Sequence, residues 1–568
     1  MLTFPAVLRA SWDDCPDRVA VWLMRSRQPD LAVTYRDLLR GAAGQAAALA
    51  RAGIQPGEVA VIILQHGEAL IHAFWGAVLR GAIPSILPFL TEKLSPDKYR
   101  QDLAALIGIT QPAAVITYRE FASEVEAAMR ACPRNSVRAV LIGEDAAPVE
   151  PDFEALGGLR RAPDDIALLQ HSSGSTGLQK GVALSHRAVF NQLDAYARAI
   201  RLSEDDVIAS WLPLYHDMGL IACFVLPILR RVPVAMMSPF DWVRAPARLL
   251  QAVAAYRVTL AWLPNFAYNF CAQKIRPRDL QNPDGTPVDL SSLRAVTNCS
   301  EPIHWSSHQA FLERFRPHGF RAEALAVSYA MAENVFGVTQ GGIDGPAAVD
   351  EVDERTLITQ GVAVPAPAGA GAGAVKLASS GRPLSNTRVR VLDPQRRDLP
   401  ERRVGELAIL SDCMLTGYYR RDDLTAEAFH EGWFLTGDLG YLADGEVYVT
   451  GRKKDLIIVG GKNIAPQDLE RLAGQAPGVH PGRVVAFGVY DEQAGTEEVV
   501  VVAESDAESE DERQRVADAI RAAVTRGSDV ALRRARVVGP RWLLKTSSGK
   551  IARAANRDKY LAEEAGQA

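Results

Sequence analysis

The sequence predicts an α/β fold: a large N-terminal domain of packed mixed or parallel sheets flanked by helices, then a small α+β C-terminal domain. Two observations predict it. From Tyr35 to Ile142, short apolar runs of strand length alternate with helical periodicity, a spacing that calls for βαβ units. Beyond the charged break Gly451–Asp455 (GRKKD), the pattern becomes a compact succession of strand, glycine pair, helix, two strands and helix. That change places a domain boundary near Lys454.

Tyr35–Gly53 has helical periodicity and ends on glycine, a C-terminal signal. Glu58–Leu64 (EVAVIIL) reads as a short buried strand, Ala69–Leu79 as a helix and Ala82–Leu87 as another strand. Ala113–Thr117 and Ala139–Ile142 are strands around a helix at Phe121–Ala131. Met218–Met237 is the most apolar stretch, but Arg230 and Arg231 interrupt it. A spanning helix needs about 20 apolar residues, so the stretch reads as buried strand and helix. Val362–Ala374 (VAVPAPAGAGAGA) reads as a flexible loop, because its GAGAGA lacks the preceding strand and following helix of a dinucleotide site. Beyond the boundary, Val484–Tyr490 and Glu498–Glu504 are strands, Glu504–Arg513 an acidic solvated loop, and Arg513–Arg526 a helix.

The 568 residues correspond to roughly four units of about 150 residues. Hydrophobic residues at 48% and charged residues at 23% exclude wholesale disorder. A net charge of -5 does not suit a nucleic-acid binder. The cysteines are scattered without a CxxC, which indicates neither a disulfide framework nor a zinc site. A reducing cytoplasm fits them best. The N-terminus, MLTFPAVLRASWDDCPDR, carries charges early and does not read as a signal peptide.

The strongest chemical signal is His171–Gly181 (HSSGSTGLQKG), between the apolar runs Ile166–Leu169 and Val182–Leu184. Small residues let a backbone approach a ligand closely and offer N–H and hydroxyl donors to phosphate oxygens. It is not a Walker A loop, since no Gly-Lys is followed by Ser or Thr. Alone, it fits an ordinary turn equally well. It is followed, in order and at large separations, by Ser328–Glu333 (SYAMAE), Trp433–Gly440 (WFLTGDLG), Gly451–Glu470 (GRKKDLIIVGGKNIAPQDLE) and Thr546–Arg553 (TSSGKIAR).

Together these motifs resemble the adenylate-forming superfamily of acyl-CoA synthetases, luciferases, peptide-synthetase adenylation domains and fatty acyl-AMP ligases, over nearly the whole chain. The resemblance implies joining a carboxylate to AMP, with ATP consumed, pyrophosphate released and Mg2+ as the metal cofactor. Two anions meet in that step, so the protein must offset their charge and align them. It further implies that Ser173, Gly174, Ser175, Thr176 and Gly177, with Lys180, cradle the β- and γ-phosphates. Glu333 matches the magnesium-binding glutamate, a hard-cation ligand. Tyr329, followed by Ala330, would lie against adenine, and Asn298–Pro302 (NCSEP), with Ser300 and Glu301, would border it. Asp438 matches the carboxylate that accepts both ribose hydroxyls, with Arg452 reaching the ribose or the phosphates. Lys550 matches the catalytic lysine that bonds the carboxylate and the bridging phosphate oxygen. Lys454 matches the hinge about which the mobile domain, residues 454–568, swings against residues 1–453 and presents Gly460–Pro466 to a thiol acceptor.

Three departures remove no charged group: Gln179 stands for a proline, Ala330 for a glycine and Ser172 for a threonine. A merely adenylate-binding protein fits poorly with intact Lys550, Asp438 and Glu333. Trp211–Leu220 (WLPLYHDMGL) and Phe315–Ala332 (FRPHGFRAEALAVSYAMA) resemble the fatty acyl-AMP ligase branch, in which His216 sits beside the acyl carboxylate. Gly345–Ser380 matches an insertion carried by ligases that load carrier proteins, and there it restricts the domain swing. Loops beyond about 15 residues are more often functional or disordered than neutral. Ala82–Leu90 (AIPSILPFL), however, lacks that branch's proline- and tyrosine-rich turn.

Met236–Phe240 (MMSPF) and Trp262–Phe270 (WLPNFAYNF) are the expected acyl-pocket walls, with Phe240, Trp262, Asn265 and Phe266 facing the acid. Neither wall has a charge to pair with an amino group, which argues against amino-acid substrates. The expected activity is formation of acyl-AMP from an apolar, fatty carboxylic acid, then transfer to a phosphopantetheine-bearing acyl carrier protein. The alternative is an acyl-CoA ligase with the same first step.

Overall fold

The computed structural model describes residues 2–565 except 27, 91–95, 173–179, 283–284, 368–372, 460–461, 492–495, 529, 531 and 547–549. Two seven-stranded sheets dominate it. The first runs Leu325–Val327, Ala295–Asn298, Leu260–Leu263, Ile208–Ser210, Val234–Met237, Val19–Met24, Leu31–Thr34, parallel except for the last pair. The second runs Gly417–Tyr418, Lys180–Ser185, Ile166–Ser172, Ile83–Ile86, Val59–Ile63, Ala114–Thr117, Ala139–Ile142. Its last five strands are parallel, and Lys180–Ser185 is antiparallel to both neighbours. The α/β class expected from the alternation is therefore the one adopted. The chain starts in the first sheet, leaves for the second at Val59 and returns at Ile208.

Local chemistry sets the element boundaries. Thr34 caps the helix Tyr35–Arg51 by accepting from the Asp37 N–H, while the Asp37 carboxylate accepts from the Thr34 N–H. The apolar face Leu38, Leu39, Ala42, Ala46 and Leu49 is buried and meets the helix Glu68–Arg80. A Cβ on Gly76 would sit 2.7 Å from the Ala42 carbonyl oxygen, so only glycine permits this approach. Met218–Met237 is a π-helix over Met218–Val225, an α-helix over Leu226–Arg230 and the interior strand Val234–Met237 of the first sheet. Among the described residues no helix is long and apolar enough to cross a membrane.

A five-stranded antiparallel sheet follows: Thr387–Leu392, Gly405–Ser411, Trp433–Ala443 and Phe429–His430, with Glu446–Arg452 also on Trp433–Ala443. The Gly345–Ser380 segment forms a hairpin of Val349–Asp353 with Ala374–Ala378 and a helix Glu354–Gln360. The flexible loop expected at Val362–Ala374 is instead pinned in its described first part. Ala363 N–H donates to the Arg402 carbonyl, Asp353 N–H to the Val364 carbonyl and Ala366 N–H to the Glu351 carbonyl, each at 2.8 Å. Buried backbone groups need such partners, and the neighbouring strand edges supply them.

At the C-terminus, Val484–Asp491 pairs antiparallel with Thr496–Glu504, which pairs parallel with Arg534–Val538. The helices Pro466–Gly474 and Glu510–Gly527 bury Leu469, Leu472, Ile520 and Val524 in one apolar cluster. The second helix starts three residues before the expected Arg513, because Ser509 and Glu512 form a capping box.

Candidate active site

Asp438 lies on the strand Trp433–Ala443, just after Gly437, whose φ of 70° is a left-handed conformation suited to glycine. Its carboxylate is buried and doubly bonded. Tyr329, beyond the strand Leu325–Val327, donates its hydroxyl to Oδ2 at 2.6 Å. Arg452, in register with Asp438 on the adjacent strand, places Nε 3.0 Å from Oδ1. Asp438 raises the Arg452 pKa. Burial, with Asp438 adding to it, pushes the Tyr329 phenol well above its usual value. Ala330 pairs with Gly337 in an isolated bridge. Lys454 sits in the turn Lys453–Asp455, and burial, with Arg452 nearby, lowers its pKa.

Glu333 occupies a tight turn, Ala332–Asn334. Its Oε1 accepts from the Tyr418 hydroxyl at 2.9 Å, and burial pushes the carboxyl up. The Lys180 Nζ stands 4.7 Å over the Tyr418 ring. The turn ends on Val335 at φ 65°, a strained setting for a β-branched residue. Bonds from Met331 N–H to the Phe336 carbonyl and from Phe336 N–H to Gln192 Oε1 hold it. Ser173, Gly174, Ser175, Thr176 and Gly177 lie outside the described residues; the antiparallel strands flanking them pair Ser172 with Lys180.

The third group joins opposite ends of the chain. His216 Nδ1 lies 2.6 Å from Asp217 Oδ1. Burial alone would raise Asp217, but the charge and bond of His216, with Lys550 nearby, leave it below the usual carboxylate value. Glu301 accepts the Phe266 N–H at 2.9 Å and is raised by burial. Lys550 is lowered by burial, while Asp217 and Glu301 oppose that shift. Ser300, at φ 74°, precedes Glu301, its Oγ 3.7 Å from Met218 Sδ.

The four residues expected to line the pocket have different surroundings. Trp262 is buried and donates its indole N–H to the Tyr196 hydroxyl at 2.8 Å. The Asn265 amide donates to Ser307 Oγ at 3.1 Å, and its oxygen accepts from Asn298 Nδ2 at 3.1 Å and His304 N–H at 3.0 Å. Phe240 is 45% exposed, against Phe89. Phe266 meets the third group through its N–H on Glu301 and packs edge-on against Trp211 and Trp242. Sequence reasoning missed Asp217, Tyr418 and Trp242 as site neighbours. Asp217 stood inside WLPLYHDMGL; Tyr418 and Trp242 carry no local signal.

Residues 8–419 match the family of AMP-binding enzymes. The chain belongs to this family. The AMP-binding enzyme is 32% identical to the long-chain-fatty-acid–AMP ligase FadD32 of Mycolicibacterium smegmatis, over 89% of this chain and 85% of that one. It is 30% identical to the medium-chain-fatty-acid–[acyl-carrier-protein] ligase JamA of Moorena producens, over 93% and 90%. A solved structure from work on fatty acyl-adenylate ligases of E. coli and L. pneumophila matches 100% of this chain and 99% of that one, with a TM-score of 0.85 and 29% identity. The chain is thus an adenylate-forming ligase of the fatty acyl-AMP ligase branch, as its motifs implied.

Proposed function

We propose that this ligase condenses an apolar fatty carboxylate with ATP to acyl-AMP and pyrophosphate, then passes the acyl group to the phosphopantetheine thiol of a carrier protein. The observation that carries the first step is the convergence of Lys550 with His216, Asp217 and Glu301, in one molecule with the Tyr329–Asp438–Arg452 cluster. Lys550 supplies the positive charge that lets carboxylate and α-phosphate approach. Asp438 takes the ribose hydroxyls, and Lys180 with the Ser173–Gly177 loop takes the phosphates. The donor set fits a hard cation: Glu333 offers a carboxylate oxygen, and Mg2+ binds through one or two carboxylates plus substrate phosphates. Bound there, Mg2+ would neutralise charge on the phosphates.

The same reading divides the chain at Lys454 into residues 1–453 and 454–568, which turn against each other between the two steps. The insertion holds both sides of that hinge. Val352, Leu357 and Ala363 pack with Tyr441, Ala443 and Tyr448, and Asp350 accepts from Arg402 and the Tyr441 hydroxyl, both at 2.9 Å. Across the hinge, Glu354 pairs with Arg471, and Ile358 packs on the cluster of Ile457, Leu469 and Leu472. Such contacts favour the adenylation arrangement and penalise the turn that thiolation needs. A carrier protein offsets the penalty through its own surface contacts; coenzyme A has less surface to do so. JamA, by its name, loads a carrier protein.

Mass spectrometry of products from a panel of acids with ATP, supplied with coenzyme A or a holo carrier protein, tests the proposal. Acyl-adenylate should form in both and be consumed efficiently only with the carrier. Acyl-CoA formed as fast as adenylate would make the enzyme an acyl-CoA ligase.

A further inference from the structure

Trp211 and Trp242 form a parallel stack, ring centroids 3.7 Å apart and planes within 3°. Trp211 directly follows the strand Ile208–Ser210 and precedes His216 in the same loop; Trp242 lies on the helix Pro239–Arg244. Phe266 meets both indoles edge-on at 6.1 Å, and Phe270, one turn along the same helix, meets Trp242 at 5.2 Å. Trp242 is fully buried and Trp211 nearly so. Neither indole N–H has an acceptor among the described residues, so stacking and packing hold the pair in place.

The stack occupies a telling position. The two segments expected to wall an acyl pocket are residues 236–240 and 262–270. Trp242 extends from the end of the first onto Phe266 and Phe270 of the second, with Trp211 against it. The space between the walls is therefore filled with indole. On its other side Phe266 faces the catalytic end: its N–H bonds Glu301, and the Lys545 ammonium lies 5.9 Å over its ring. In the adenylation reading, a hydrocarbon tail leaving a carboxylate beside Glu301 would run along Phe266, whose N–H bonds Glu301, toward the stacked indoles.

The geometry points to a closed acyl pocket whose floor is the Trp211–Trp242 pair, so that the acid is short or compact and not long-chain. This rests on the adenylation reading above. It goes beyond the comparisons, since FadD32 and JamA are named for acids of different length, long- and medium-chain, and so leave this chain's length preference open. A close-packed interior does not part for extra methylenes, and one methylene gained or lost in such a pocket changes kcat/KM by about 10–200-fold.

Acid-dependent exchange of pyrophosphate into ATP, measured with straight-chain acids from butanoate to hexadecanoate, tests it. Wild type should be fastest with octanoate or a shorter acid, and at least tenfold lower in kcat/KM with hexadecanoate. Trp242→Ala should raise the hexadecanoate-to-octanoate ratio at least tenfold. Trp242→Leu, which keeps more of the packing, should raise it in the same direction. Wild-type exchange as fast with hexadecanoate as with octanoate overturns the inference alone and leaves the adenylation reading standing. No exchange with any acid overturns both. The wild-type profile decides even where a variant fails to fold.

Discussion

The hydroxyl of Tyr329 donates to one oxygen of Asp438 at 2.6 Å while Arg452 holds the other at 3.0 Å. A carboxylate gripped from both sides is held in one orientation. Asp438→Ala leaves a buried phenol and a guanidinium without their acceptor, and in the proposed reaction the ribose hydroxyls as well. A charged acceptor of this kind is worth about 1.5–3 kcal/mol, so the KM for ATP should rise roughly 10–150-fold. Pyrophosphate exchange against ATP concentration measures it. An unchanged KM would show that the carboxylate faces something other than nucleotide.

Lys550→Ala should act on rate and not on ATP affinity. Its strongest charged neighbours are Asp217 and Glu301, ahead of Arg452 of the Asp438 cluster. Losing one charge-assisted donor to a developing transition state typically costs roughly 10²–10³ in rate. Exchange should fall by that order, with nucleotide affinity, read by calorimetry, nearly unaltered. Near-normal exchange would remove Lys550 from the chemistry.

What could be read from the sequence was local. The α/β class follows from strand and helix periods, and the helix start at Tyr35 from the periodicity that follows Thr34. The expected start at Arg513 falls three residues late, because reading the acidic run as a loop passes over the Ser509–Glu512 capping box that starts the helix at Glu510. Pairing was not legible. Nothing in Val19–Met24 says that it lies beside Val234–Met237 and not beside Val59–Ile63, because that choice is made by packing between distant segments. The site divides the same way. Asp438, Glu333 and Lys550 stand in motifs whose residue types fit phosphate and ribose chemistry. Tyr418 matters only because its hydroxyl reaches Glu333, and Trp242 only because it lands on Trp211. Asn265, expected to face the acid, has its amide bonded to Ser307, Asn298 and His304.

The pH profile of exchange should be a bell narrowed from both sides. In the proposed reaction Glu333 acts charged, and burial raises its pKa, so activity should fall at a higher pH than an ordinary carboxylate would impose. Lys550 acts protonated, and burial lowers its pKa, so the alkaline limb arrives earlier than for an ordinary lysine. The Tyr418 hydroxyl opposes the rise of Glu333. Tyr418→Phe should therefore move the acid limb further up and leave the alkaline limb in place. An acid limb that stays or moves down would assign it to another group.

The contact of the insertion with the C-terminal region predicts a change of acceptor. Glu354 pairs with Arg471, and Ile358 packs on the cluster around Leu469 and Leu472. Deleting the whole hairpin would also strip Val352, Leu357 and Ala363 from Tyr441 and Tyr448, damaging the N-terminal packing. The paired substitution Glu354→Ala with Ile358→Ala is narrower, because it removes only the side facing the C-terminal helix. Arg471 keeps Asp468 at 3.0 Å, so no guanidinium is stranded. If these contacts bias the turn by about 1–2 kcal/mol, their loss should raise the thiolation-competent population about 5–30-fold. The acyl-CoA to acyl-adenylate ratio, measured by mass spectrometry with coenzyme A as acceptor, should rise by that factor. Pyrophosphate exchange should stay at the wild-type rate, since neither residue approaches the Lys550 or Asp438 clusters. Glu351→Ala, on the exposed edge of the same hairpin, should leave the ratio unchanged. A double variant with the wild-type ratio would mean that the insertion does not hold the hinge, and the acceptor preference would then have to come from the thiol channel itself.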